Sequence, residues 1–144
     1  MKSEAEKLFL NHKKMLIKQY GKGALYDDQI KKIIPWVNGV YAQDEAVIKP
    51  GYYVINTDNS NGEGEHWIGA YITKKSCYLY DSFSRTPKYL VPSFLEKLNK
   101  RGIKVYQSDK KDKEQYGNSE VCGVLVCSWL MVVKELGIRK AMTI

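Results

Sequence analysis

Apolar positions along the chain recur with two different periods. Between residues 2 and 20, Leu8, Leu10, Met15, Leu16 and Ile17 are spread among lysine and glutamate, which predicts a helix that Gly21-Lys22-Gly23 stops. A second, shorter helix is expected from Asp27 or Asp28 to Ile34, capped by an aspartate and ended by Pro35. Lys49-Pro50-Gly51 marks a turn, and Tyr52 to Asn56, rich in β-branched and aromatic residues, reads as a strand. The polar, glycine-bearing stretch Asp58 to Gly64 is a loop. Two further strands follow, His66 to Thr73 and Cys77 to Tyr80, with Lys74-Lys75-Ser76 as the turn between them.

Beyond this hairpin the pattern returns to helix. Val91 or Pro92 to Lys100 is expected to be helical, with Ser93 as a cap or first-turn residue, and Gly102 ends it before a short strand from Ile103 to Tyr106. Residues 108 to 118 form a charged loop. Asn118 or Ser119 is expected to cap a long apolar helix from about residue 120 to 136, closed by Gly137. No internal repeat or linker interrupts the 144 residues, so the chain reads as one α+β domain.

Composition narrows the class. An apolar fraction of 44% and a charged fraction of 27% are those of an ordinary soluble globular protein. The polar, charged N-terminus has no apolar core of a secretory signal. The apolar run from Val121 to Val133 is too short to span a bilayer, which takes about 20 residues, so no membrane partner is expected. The three cysteines, Cys77, Cys122 and Cys127, are an odd count that fits free thiols in a reducing compartment. With no CxxC pair, and with His12 and His66 far apart in sequence, no metal site is expected.

The net charge is +7, and lysines come in clusters, Lys13-Lys14, Lys31-Lys32, Lys74-Lys75 and Lys110-Lys111 with Lys113. They read as a solvated surface, or as a surface that attracts a polyanion and binds nucleic acid weakly.

Four residues carry candidate chemistry. Cys122 falls in the first turn of the apolar helix, where the dipole and free N–H groups favour a thiolate. It is a candidate nucleophile, against the alternative of a small buried hydrophobe. Gly123 beside it would let a substrate backbone come close. Cys127 and Cys77 read as core. His66, at the mouth of the glycine-bearing loop, is a candidate base or a structural histidine. His12, among lysines, reads as exposed. Asp81 ends the third strand, and it either orients a base or caps an Asx turn. The strands run antiparallel, so His66 and Asp81 are expected at the same end of the hairpin. Trp67 reads as core, as a wall that keeps water from the base, or both. Gln115, seven positions before Cys122, is a candidate amide donor.

These residues resemble the adenovirus protease (adenain) family, a branch of the viral and Ulp-like cysteine peptidases. The resemblance is carried by Ile55-Asn56-Thr57, Gly64-Glu65-His66-Trp67-Ile68-Gly69-Ala70, Cys77-Tyr78-Leu79-Tyr80-Asp81-Ser82-Phe83 and Gln115-Tyr116-Gly117-Asn118-Ser119-Glu120-Val121-Cys122-Gly123. It covers roughly residues 50 to 135. It implies His66 as general base, Asp81 as its orienter, Cys122 as nucleophile and Gln115 as oxyanion donor. The implied fold is a papain-like cysteine protease core in circularly permuted order, a small mixed or antiparallel sheet packed on the helix that carries the cysteine. The chain departs from the adenovirus pattern in having Asp81 where that pattern has Glu, a substitution shared with Ulp-like peptidases. It also stops soon after the cysteine helix. The adenovirus enzymes continue there into residues that contribute to DNA and peptide-cofactor binding, so no cofactor is read into this chain.

The expectation is therefore a cysteine endopeptidase, a viral maturation protease that cleaves capsid or core precursors at glycine-containing sites. Its location would be the cytoplasm or nucleus of an infected cell, or the virion. Two rivals share the same residues: a deconjugating peptidase for ubiquitin-like proteins and an acyltransferase. A catalytically dead binding module would not need the full set of four.

Overall fold

A computed structural model describes residues 2–62, 66–83, 85–107 and 121–144. The first helix, α1 (Glu4–Tyr20), begins at Ser3, whose hydroxyl accepts from the Glu6 N–H at 3.1 Å, and ends at Gly21, where φ is +81°. In α2 (Asp27–Ile33) the expected aspartate cap gives way to Tyr26. Gln29 reaches back to the Tyr26 N–H at 2.9 Å, and Asp27 and Asp28 sit in the first turn, where the helix dipole favours acids.

Five strands follow in a mixed sheet of order β1-β2-β3-β4-β5: β1 (Gly39–Ala42), β2 (Gly51–Asn56), β3 (Trp67–Ile72), β4 (Ser76–Tyr80) and β5 (Lys104–Gln107). The central pairs β2–β3 and β3–β4 are antiparallel, and the outer pairs β1–β2 and β4–β5 are parallel. The short helix α3 (Pro87–Leu90) and α4 (Pro92–Lys100) lie between β4 and β5, each opening on proline in its first turn. The chain closes with α5 (Cys122–Leu136) and α6 (Ile138–Ala141), separated by Gly137 at φ +91°. Helix α5 has Val121 as its N-cap residue, with no side-chain cap; the expected caps Asn118 and Ser119 lie outside the described residues.

The sheet has a helix layer on each side. Tyr53, Ile55, Ile68, Ala70, Ile72, Cys77 and Leu79 pack with Phe94 and Leu98 of α4, while Val54 and Tyr80 face the core of α1 and α5. Covering both faces explains why β2, β3 and β4 read as apolar runs rather than alternating ones. On the α5 side the approach is close: a Cβ on Gly69 would lie 3.1 Å from Trp129 and 3.3 Å from Val126. Fully buried Trp129 stacks on Tyr80 at 5.4 Å and donates its indole N–H to the Ala141 carbonyl at 3.2 Å. These contacts hold the middle of α5, and with it α6, against β3 and the end of β4. Among the described residues no helix is long and apolar enough to cross a membrane.

Candidate active site

His66 precedes β3 by one residue and Asp81 follows β4 by one. The pairing of Gly69 with Tyr80 and Ile72 with Cys77 brings both to the same end of the hairpin. There His66 Nε2 lies 2.6 Å from Asp81 Oδ1. The Thr57 N–H donates to the His66 carbonyl at 2.8 Å and ties the histidine to the segment leaving β2. The first residue of α5, Cys122, completes the group, its thiol close enough to the imidazole for each to shift the other's ionisation. All three are nearly closed off from solvent, His66 at 8%, Asp81 at 6% and Cys122 at 7% exposure.

The Asp81 carboxylate is held on both oxygens. Oδ1 accepts from His66 and from the Phe83 N–H at 3.2 Å. Oδ2 accepts from the Arg85 N–H at 2.9 Å and from Arg85 Nε at 3.2 Å. Burial alone would push this acid up; the bonds from His66 and Arg85 outweigh it and bring it below its ordinary value. An ionised Asp81 can only accept, so Nε2 carries its proton and Nδ1 is left to take the thiol proton.

Electrostatics at the thiol and imidazole are complementary. Burial opposes the thiolate, but the hydrogen bond and charge of His66, with the backbone N–H groups of Trp67 and Gly123 aimed at the sulfur, lower the Cys122 thiol. Burial likewise opposes the imidazolium, and the bonds to Asp81 and Cys122 overcome it and raise His66. Both shifts favour a thiolate–imidazolium pair. The pair's window opens as pH rises through the lowered thiol and closes as pH rises through the raised imidazole. Cys77 and Cys127, also buried but without such partners among the described residues, are pushed up to about 12 by burial.

Iodoacetamide is therefore expected to modify Cys122 of the folded protein at neutral pH and to spare the other two cysteines, as read by peptide mass spectrometry. Equal labelling of all three would contradict this electrostatic picture.

Trp67 is half-buried beside the base, and its indole N–H donates to the Leu25 carbonyl at 2.9 Å. It borders a cleft of about 240 Å³ with Tyr26, Glu45, Asn56 and Ser60. Gly123 has a different setting from the one its sequence position suggests. It is buried, and a Cβ there would meet the Leu25 side chain at 3.0 to 3.2 Å, so packing on Leu25 is sufficient reason for the glycine. Gln115 lies outside the described residues. Sequence reasoning passed over Leu25, which holds both Trp67 and Gly123, and Arg85. For Arg85 a signal was available, a cation four positions after the acid.

Among the described residues no three His, Cys, Asp or Glu side chains gather as a metal ion would require. In comparison with known proteins, no family model matches the chain, and no curated protein matches it.

Proposed function

We propose that this chain is a cysteine endopeptidase. The observation that carries the proposal is the Cys122 thiol at the start of a helix, electrostatically paired with an imidazole that is itself oriented by a saturated carboxylate. The Cys122 thiolate attacks the scissile carbonyl carbon, forming a C–S bond as the carbonyl oxygen becomes an oxyanion. The Cys122 N–H, in the first turn of α5 where helix donors lack intrahelical acceptors, is placed to stabilise that oxyanion. By the resemblance Gln115 supplies the second donor, a bond worth about 3 kcal/mol in such sites. The His66 imidazolium gives its proton to the leaving amine as the C–N bond breaks. Water then attacks the thioester, His66 takes a proton from it, and cleavage of the C–S bond releases the acid and restores the thiolate–imidazolium pair.

The chain order His66, Asp81, Cys122, with the thiol on the helix packed against the sheet, supports a papain-like core in circularly permuted order. Together with the resemblance to adenain, it supports a viral maturation protease cleaving capsid or core precursors at glycine-containing sites. The half-buried Trp67 bordering the cleft supports a narrow approach for small substrate residues.

A three-way assay separates this reading from its rivals. Precursor-type peptides with glycine near the scissile bond should be hydrolysed. Preferential cleavage of ubiquitin-like conjugates, or transfer from an acyl donor instead of hydrolysis, would replace it with one of the alternatives.

The proposal extends to a weak partner. Lys13 and Lys14 on α1, Lys31 and Lys32 in the last turn of α2, and Lys74 and Lys75 at the β3–β4 turn offer phosphate contacts in a chain of net charge +7. Affinity for DNA should fall steeply between about 50 and 200 mM salt, as counterion release requires. No binding at the low-salt end would leave the lysines as solvated surface.

A further inference from the structure

The segment after β4 turns back on the acid it has just delivered. Arg85 contacts Asp81 Oδ2 twice, through its backbone N–H at 2.9 Å and its side-chain Nε at 3.2 Å. Its guanidinium carbon lies 4.7 Å from the centroid of the Phe83 ring, and that ring lies 5.3 Å from the ring of His66. The Arg85 carbonyl accepts from Gln107 Nε2 at 2.6 Å, which anchors the segment to the end of β5. The Arg85 side chain is 44% exposed while the Asp81 side chain is 2% exposed, so the arginine closes the outer side of a buried carboxylate.

We infer that Arg85 is a positioning residue for the His66–Asp81 pair, holding the carboxylate turned so that Oδ1 meets Nε2 and clamping Phe83 against the imidazole. The inference rests on the peptidase reading for its consequence in turnover, but not for its geometry. A carboxylate rotates freely about its last torsion unless both oxygens are engaged. Donors to Oδ2 fix one oxygen and thereby aim the other. The guanidinium also divides the carboxylate's charge between two cations. A base that must later release its proton to a leaving amine works best when it does not hold that proton too tightly. His66 is faced by Asp81, and through it Arg85, from this segment, by Cys122 from α5, and by the uncharged Thr57 and Trp67 from the end of the sheet.

Two variants and two readouts test the assignment. The first readout is the titration of His66 by NMR in a Cys122→Ala background, where the imidazole titrates without the thiol; His12→Gln assigns the signals. Arg85→Gln removes the cation, so Asp81 acts undivided on the imidazole and the pH at which His66 loses its proton should rise. Arg85→Lys keeps the charge and should restore the titration towards that of native Arg85. The second readout is peptide turnover by the chain with Cys122 intact. There Arg85→Gln should lower kcat about tenfold with little change in KM, the scale on which outer partners of a working group act. A titration unmoved by Arg85→Gln would overturn the inference, as would a rise in KM at constant kcat, which marks a substrate contact instead. If the native chain hydrolyses no peptide, the peptidase reading falls, while the titration still decides whether Arg85 governs the pair.

Discussion

Cys122→Ala is expected to remove peptide hydrolysis, lowering kcat by a factor on the order of 10⁵ or more, as loss of a nucleophile from an acyl-transfer set does. The fold should survive. Cys122 is the first residue of α5, its side chain is small, and alanine is the best helix former, so the cost is expected to stay within about 1 kcal/mol. What disappears is the sulfur to which His66 and the Trp67 and Gly123 N–H groups are directed. Activity of the alanine variant above a residual level, measured with a fluorogenic peptide, would move the nucleophile elsewhere. Thermal unfolding alongside separates lost chemistry from lost structure.

Asp81→Asn should cost a factor on the order of 10³ to 10⁴ in kcat, by the logic that makes the corresponding change so damaging in other acid–histidine pairs. The structure supplies the reason. Two donors from Arg85 converge on the Oδ2 position, so the amide oxygen of asparagine is drawn there and its NH₂ turns towards His66. Nε2 must then accept, the ring proton moves to Nδ1, and the nitrogen that should take the thiol proton is already protonated. Stability should respond with a distinct pH signature. Burial opposes the Asp81 charge, but its bonds to His66 and Arg85 hold it below the ordinary value, so its stabilising contribution is present above the unfolded-state value near 3.8. That contribution is lost as pH falls through the lower folded-state value, and the asparagine variant should lack that part of the acid dependence. A kcat within a few-fold of the unsubstituted chain would show that the carboxylate does not set the tautomer.

Parts of this arrangement are legible in the sequence because they rest on local signals. The runs His66 to Thr73 and Cys77 to Tyr80, with the Lys74-Lys75-Ser76 turn, define a hairpin, and antiparallel pairing then carries His66 and Asp81 to one end. Helix α5 and its stop at Gly137 are equally local. Strand β1 is not legible. Its four residues are all half-buried, and its parallel pairing to β2 gives no periodic signal over so short a span. Arg85 is legible only as a cation four positions after Asp81; its two contacts with the acid depend on how the segment folds back after β4. In the sequence Gly123 reads as room for a substrate backbone; the neighbour at its Cα is Leu25, close only through the tertiary packing of the 21–26 connection.

The most direct measurement is reaction of the intact protein with an electrophilic peptide probe carrying a Gly-Gly-type sequence, followed by mass-spectrometric mapping of the adduct. A single covalent adduct on Cys122 is expected, absent from Cys122→Ala and much slower in Asp81→Asn. An adduct on Cys77 or Cys127, or no adduct while iodoacetamide labels Cys122 freely, would contradict it.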